Sequence, residues 1–161
     1  MFRHILVPVD FTKKNAKALE MAARLAEGTK ARVTLLHVIE RIERIPPDEL
    51  ETFYETLEGR AAARMGPLAA RLSQRHPVRG EILLGNRRQE ILRYAVRHKV
   101  DLIVLSSHAL GARGAGGRSI SHDLALVAPC AVLLVRQGER SSPVAAAVRR
   151  AGRPKGKLAA R

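Results

Sequence analysis

The sequence predicts an α/β protein built on an open, parallel, five-stranded sheet with helices on both faces. Five short segments rich in Val, Ile and Leu alternate with four segments of helical periodicity, in the order βαβαβαβαβ. The strand segments are apolar nearly throughout, which is typical of parallel strands covered on both faces. A chain of 161 residues is long enough to bury one such core.

The first elements are bounded by residues that start or stop helices. Thr12 is expected to cap the first helix and Gly28 to end it, while Gly66 and Pro67 favour a kink in the second helix. The predicted elements up to residue 85 are strands at 4–11, 31–39 and 78–85 and helices at 12–28 and 48–74.

The second half repeats the alternation with a clearer helix start. Asn86 and Gln89 have the spacing of a capping box for a helix over 87–99, whose buried stripe is formed by Ile91, Leu92, Ala95 and Val96. The remaining predicted elements are a strand at 101–105, a helix at 119–128 and a strand at 131–136.

The positive charge is concentrated at the end of the chain. The net charge is +14, and residues 137–161 contain seven basic residues and one acidic residue, so +6 of it lies there. We therefore expect an α/β domain over 1–136 and a basic, flexible tail over 137–161. The stretch "RRAGRPKGK" at 149–157 contains the Gly-Arg-Pro core of an AT-hook, so the tail is either a solvated appendage or a nucleic-acid contact.

The cysteine content and the length of the apolar runs also indicate the cellular compartment. Cys130 is the single cysteine, which excludes an intrachain disulfide and fits a reducing compartment. No apolar run approaches the roughly 20 residues that a membrane-spanning helix needs. A cytoplasmic protein without a membrane segment is expected.

Three segments that end or follow strands are expected to meet at one edge of the sheet. They are "VPVD" after the first strand, "HVI" ending the second, and the glycine-rich "SSHALGARGAGGRSIS" at 106–121 after the fourth. Ligands of open parallel sheets bind at this carboxyl edge, and a glycine-rich turn before a helix is a common anion site. Asp10 has two interpretations, an acceptor for a ribose or an adenine amino group, or a cap for the next helix.

The sequence contains no complete catalytic motif. The residue types of a hydrolytic triad are present at Ser106, Ser107, His108, His122 and Asp123, but no GxSxG turn surrounds either serine. The six histidines lack metal-binding spacing, and no Walker lysine is evident. The sequence therefore predicts no metal site and no enzyme beyond slow ATP hydrolysis.

Five stretches together resemble the universal stress protein family: "ILVPVDFT", "LLHVI", "GNRRQEIL", "DLIVLSSHALG" and "APCAVLLVR". The resemblance covers roughly residues 1–136 in the expected order. It implies a Rossmann-like fold of the adenine nucleotide alpha hydrolase-like type. It also implies a homodimer through the last strand, Val132 to Val135, and a division of the family into members that bind ATP and members that do not.

The glycine-rich loop departs from the pattern of ATP-binding members. In those members two glycines are separated by two residues, and nine residues then precede a glycine followed by Ser or Thr. Here Ser106, Ala109 and Arg118 stand at the glycine positions, Ser119 keeps the hydroxyl, and eight residues separate Ala109 from Arg118. Arg118 either blocks the space that a phosphate needs or contacts the phosphate with its charge.

The resemblance also names residues for a site that would take ATP or another adenine nucleotide. It implies Pro8, Val9, Asp10 and Val38 for the adenosine half, and Leu105, Ser106, Ala109, Arg118, Ser119 and Ile120 around the ribose and phosphates. We expect a stress-response domain that acts by binding and signalling. A nucleotide switch and a dimeric interaction module that binds no ATP are the two alternatives.

Overall fold

The computed structural model describes residues 1–42, 50–74, 76–108 and 120–137, with the backbone alone for Ser107, His108 and Gln137. The elements in these ranges are β1 (His4–Pro8), α1 (Ala16–Thr29), β2 (Arg32–Glu40), α2 (Glu51–Leu72), β3 (Val78–Gly85), α3 (Arg87–Arg97), β4 (Leu102–His108), α4 (Ile120–Val127) and β5 (Ala131–Gln137). The strands form one sheet in the order β3-β2-β1-β4-β5, and every pairing is parallel. The predicted fold class is confirmed.

Alternating side chains along the strands form a core on each face of the sheet. In β1, Ile5 and Val7 pack toward α1 and α2, whereas Leu6 packs toward α3 and α4. Along β4, Val104 lies on the first face and Ile103 on the second. Because both faces are covered, the strands are apolar at nearly every position.

The α2 helix packs closely against the edge strand β3. A Cβ atom at Gly80 would collide with the side chain of Met65, which is buried in the core of this face. The helix also continues through Pro67 to Leu72, so the expected kink at Gly66 and Pro67 does not divide it. Burial of Ala61 and Met65 on one stripe outweighs the helix-breaking tendency of proline.

The ends of α1 differ from the prediction. Thr12 caps a short 3-10 turn, Lys13–Asn15, and the α-helix begins only at Ala16. At the other end Gly28 is still helical, and Lys30 adopts the left-handed backbone that ends the helix, with φ 57°. The left-handed residue that ends a helix is normally glycine, so the prediction placed the end at Gly28, two residues before Lys30.

A carboxylate joins β1 to the start of β4 at the amino edge of the sheet. Asp101 Oδ2 accepts hydrogen bonds from the backbone N–H groups of Arg3 and His4, both at 2.8 Å. These two bonds hold the pKa of Asp101 below its ordinary value. The contact fixes the position of β1 relative to β4 along the strand direction.

Two predicted segments lie outside the described residues. They are the glycine-rich segment from Ala109 to Ser119 and the basic tail beyond Gln137. In the part of the chain that the structure does describe, no helix has the length and apolarity needed to cross a membrane.

Candidate functional site

A cavity of about 230 Å³ opens at the carboxyl edge of the sheet, where the strand order reverses around β1. The chain passes from β1 to β2 on one side, and β4 lies on the other, so the loops after β1 and β4 diverge and leave a crevice. The cavity is lined by Pro8, Val9, Asp10, Lys14, Asn15, Leu36, His37, Val38, Arg87, Ile91, Leu105, Ser106, Ile120, Ser121 and Leu124.

Seven of the ten residues predicted for the site lie on this cavity. They are Pro8, Val9, Asp10, Val38, Leu105, Ser106 and Ile120. The other three, Ala109, Arg118 and Ser119, lie outside the described residues. The structure therefore brings together every predicted site residue that it describes, while contact of these residues with a ligand stays a prediction.

Asp10 fixes the turn before the first helix but does not cap that helix, because Thr12 is the cap, and its role as an acceptor for a ligand stays a prediction. Its Oδ1 atom accepts hydrogen bonds from the Thr12 N–H at 3.0 Å and the Thr12 hydroxyl at 2.7 Å, which fixes the turn after β1. Its Oδ2 atom has no hydrogen-bond partner among the described residues. Burial by itself raises the pKa of Asp10, but the bonds from Thr12 outweigh it and hold that pKa below the ordinary value. At neutral pH the cavity therefore contains a carboxylate with one free oxygen.

The backbone around Val9 is held rigidly by β2. The Val9 N–H donates to the Leu36 carbonyl at 2.8 Å, and the Val9 carbonyl accepts from Nδ1 of His37 at 2.8 Å. Because a carbonyl only accepts, Nδ1 of His37 carries a proton. Phe11 packs on the His37 ring with centroids 4.5 Å apart, and its φ of 58° is an uncommon left-handed value for an aromatic residue. Strained backbone of this kind is concentrated at functional sites.

The opposite side of the cavity joins β4 to α4. The Ser121 hydroxyl donates to the carbonyl of Ser106 at 3.0 Å, so the first turn of α4 is attached to the end of β4. The Ser106 hydroxyl is buried and has no hydrogen-bond partner among the described residues. A buried hydroxyl without a partner is costly to the fold, and because this oxygen is enclosed by protein it is not itself offered to a ligand in the cavity.

Sequence reasoning missed the two cations that line the cavity. Lys14 lies in the 3-10 turn after Thr12, and Arg87 is the first residue of α3. Arg87 also forms an ion pair with Glu40 at 3.0 Å. The capping position of Asn86 could have indicated Arg87, because a helix that follows a parallel strand begins at the carboxyl edge of the sheet.

The remaining lining is mainly apolar, and Leu36, Ile91 and Leu124 form its buried base. Apolar surface with a few unpaired polar groups is typical of small-molecule sites. Within the described ranges no three His, Cys, Asp or Glu side chains come close enough to hold a metal ion. The arrangement can bind and orient an organic ligand through apolar contact and hydrogen bonds.

Comparison with known proteins assigns the family. The universal stress protein family profile matches residues 1–136. The chain belongs to the universal stress protein family. A universal stress protein of Thermus aquaticus is 33% identical over 143 residues, which cover 84% of this chain and 100% of that relative.

Solved structures of universal stress proteins share the fold. UspA from Lactobacillus plantarum has a TM-score of 0.72 at 25% identity and covers 84% of this chain and 98% of its own. An Arabidopsis thaliana family member with AMP bound has a TM-score of 0.62 at 17% identity and covers 84% and 92% of the two chains. The Rossmann-like, adenine nucleotide alpha hydrolase-like fold expected from the sequence is thus confirmed.

Proposed function

We propose that this universal stress protein binds an adenine nucleotide, ATP or a relative of it, in the carboxyl-edge cavity and acts by binding and signalling rather than by turnover. The observation that carries the proposal is a carboxylate oxygen without a hydrogen-bond partner among the described residues, Asp10 Oδ2, in an apolar cavity at the switch point of the sheet. A purine ring suits the apolar surface, and its amino group or the ribose hydroxyls suit the free carboxylate oxygen.

The size of the cavity favours the adenosine half of the ligand. Its volume of about 230 Å³ is below the roughly 300 Å³ at which sites for whole drug-sized ligands begin. In the proposed arrangement Pro8, Asp10 and Val38 contact the base, while Leu105, Ser106 and Ile120 contact the ribose. Ala109, Arg118 and Ser119 complete this proposed set on the phosphate side.

Support from relatives concerns the class of ligand. The Arabidopsis thaliana protein of the same family and fold contains AMP. In the proposed mechanism, a bound nucleotide favours one conformation of the segment between β4 and α4 and so alters the surface offered to a partner. If the cavity stays empty, the protein is instead a dimeric interaction module.

We also propose a cytoplasmic homodimer that forms through Val132 to Val135. The β5 strand is at one edge of the sheet and pairs only with β4 among the described strands. Leu134 on this edge strand is 39% exposed, and an exposed apolar edge strand offers both unpaired backbone groups and apolar area to a second copy.

Ligand extraction followed by titration calorimetry tests the nucleotide proposal. We expect an adenine nucleotide in the extract of the purified protein and saturable binding of ATP by the emptied protein. In the Asp10→Asn variant the bonds from Thr12 to Oδ1 are retained and an amide replaces the free oxygen, so ATP affinity is expected to fall by about tenfold.

Glu20→Gln on the exposed face of α1 is the matched control, since it removes one negative charge far from the cavity. Its ATP affinity should equal that of the wild type. An empty extract together with no heat of ATP binding would exclude the nucleotide function and favour the interaction module.

A further inference from the structure

A second cavity, which we call the arginine groove, adjoins the nucleotide cavity on the face of the sheet that α2 covers. Its volume is about 750 Å³, and α2 contributes Leu57, Arg60, Ala61, Ala63 and Arg64 to it. Both cavities are lined by Asp10, His37, Val38 and Arg87. The two spaces are therefore neighbours across the ends of β1 and β2.

Two arginines on α2 line the groove without an ion-pair partner among the described residues. Arg60 and Arg64 are four residues apart in the helix, so their charged groups lie on the same face and repel each other. Neither arginine has an acidic residue three or four positions away, and neither forms an ion pair with a described residue. By contrast, Arg24 and Arg93 pair with Glu20 and Glu90 on their own helices.

The acidic groups in the groove have other hydrogen-bond partners. Glu40 is 3.0 Å from Arg87, and Asp10 accepts two bonds from Thr12 through Oδ1. Arg60 and Arg64 therefore face a nucleotide-sized groove in which no described carboxylate forms an ion pair with them. Guanidinium groups bind phosphate oxygens in bidentate geometry, and a pair of them is well suited to a multiply charged anion.

We propose that the arginine groove is an anion subsite that binds a phosphate-class group through Arg60 and Arg64. The group belongs to an oligophosphate that binds beside the nucleotide, because the proposed nucleotide arrangement places the base at Asp10 and Val38, which line both cavities, and the phosphates at the opposite end. The volume of about 750 Å³ leaves room for such a ligand without use of the first cavity.

Calorimetry with three probes tests the subsite: adenosine, ATP and inorganic tripolyphosphate. The groove variant is Arg60→Gln with Arg64→Gln. The control is Arg71→Gln with Arg97→Gln, two exposed arginines in the last turns of α2 and α3, which lowers the net charge by the same amount at the other edge of the sheet. Arg87 is left unchanged because it lines both cavities.

Relative to the control, the groove variant is expected to lose affinity for tripolyphosphate by about tenfold for each arginine and to keep its affinity for adenosine and for ATP. A loss confined to ATP would contradict a separate anion subsite and also the proposed orientation of the nucleotide. A loss confined to tripolyphosphate assigns it to a separate anion.

Two further outcomes separate this proposal from the nucleotide proposal. If adenosine and ATP do not bind while tripolyphosphate binds the wild type and not the groove variant, the nucleotide function fails and the subsite stands. If the groove variant and the control bind ATP and tripolyphosphate equally, or if neither phosphate probe binds the wild type, the subsite is overturned.

Discussion

At the scale of single residues, polar side chains at the two edges of the sheet have opposite surroundings. Asp10 at the carboxyl edge keeps one oxygen free, whereas His4 at the amino edge is buried with both ring nitrogens in use. Nε2 of His4 is 2.9 Å from the Thr34 hydroxyl, and Nδ1 is 3.1 Å both from the His98 carbonyl and from Arg32. The Asp10 oxygen without a described partner is suited to binding a ligand, whereas the contacts of both His4 ring nitrogens stabilise the fold.

His4 predicts a dependence of stability on pH. Burial, assisted by the charges of Arg32 and His98, lowers the pKa of His4 below 6.5. The unfolded chain therefore takes up this proton first on acidification, so the free energy of unfolding is undiminished above about pH 6.5 and falls as the pH drops toward the lowered pKa. The slope for one group is at most about 1.4 kcal/mol per pH unit.

Urea unfolding of the wild type and of His4→Gln between pH 8 and pH 5 measures this contribution. The variant should lose less stability than the wild type over this range. Equal slopes for His4→Gln and the wild type would show that His4 is not the responsible group.

At the scale of elements, the start of α3 serves both the fold and the cavity. Asn86 Oδ1 accepts a hydrogen bond from the Gln89 N–H at 3.2 Å, which confirms Asn86 as the predicted cap. The capped turn begins with Arg87, which lines both cavities, and Ile91 one turn later lies at the base of the first. A change at the cap therefore acts on stability and on the site together.

Replacing Asn86 by Ala should lower the free energy of unfolding by about 1 kcal/mol, because the first turn of α3 loses its side-chain cap. Asn86→Ser keeps an acceptor at this position and should remain within a few tenths of the wild type. Denaturant midpoints of the three proteins measure the difference. An equal loss in both variants would mean that the cap hydrogen bond contributes no measurable stability.

At the scale of the whole molecule, the two outermost strands, β3 and β5, differ in how far helices and side chains cover them. The β3 edge packs closely against α2 through Gly80 and Met65, whereas β5 exposes Leu134. The basic tail begins beyond Gln137, directly after this exposed strand, and its contact with nucleic acid stays a prediction.

Leu134→Lys should convert the proposed dimer into a monomer, because a charge in an apolar strand contact costs several kcal/mol once it is buried. Light scattering should give the wild type about twice the chain mass of 17.7 kDa and the variant the chain mass itself. Phe53→Lys, an exposed apolar position on α2, is the control and should leave the mass unchanged. A wild-type monomer, or a Leu134→Lys dimer, would contradict an interface through β5.

The sequence was most informative where local patterning decides the outcome. The apolar runs predicted five parallel strands, and the bounds of β3 and the Asn86 cap agree with the structure. The ends of helices and strands were predicted less accurately where they depend on contacts between residues distant in sequence. The β4 strand extends to His108 rather than Leu105 because β5 pairs with it as far as Gln137.

The sequence by itself determined the α/β class and the family, and it predicted seven of the fifteen residues that line the cavity, because apolar strand patterns and the segments after parallel strands depend on neighbouring residues in the chain. Only the tertiary structure decided which polar groups stay unpaired at the cavity and that Arg60 and Arg64 face a groove beside it. The rotation of α2 is set by burial of Tyr54, Ala61 and Met65 against the sheet, and that packing determines which side chains of the helix line the groove. Such orientation depends on long-range packing, which no local pattern encodes.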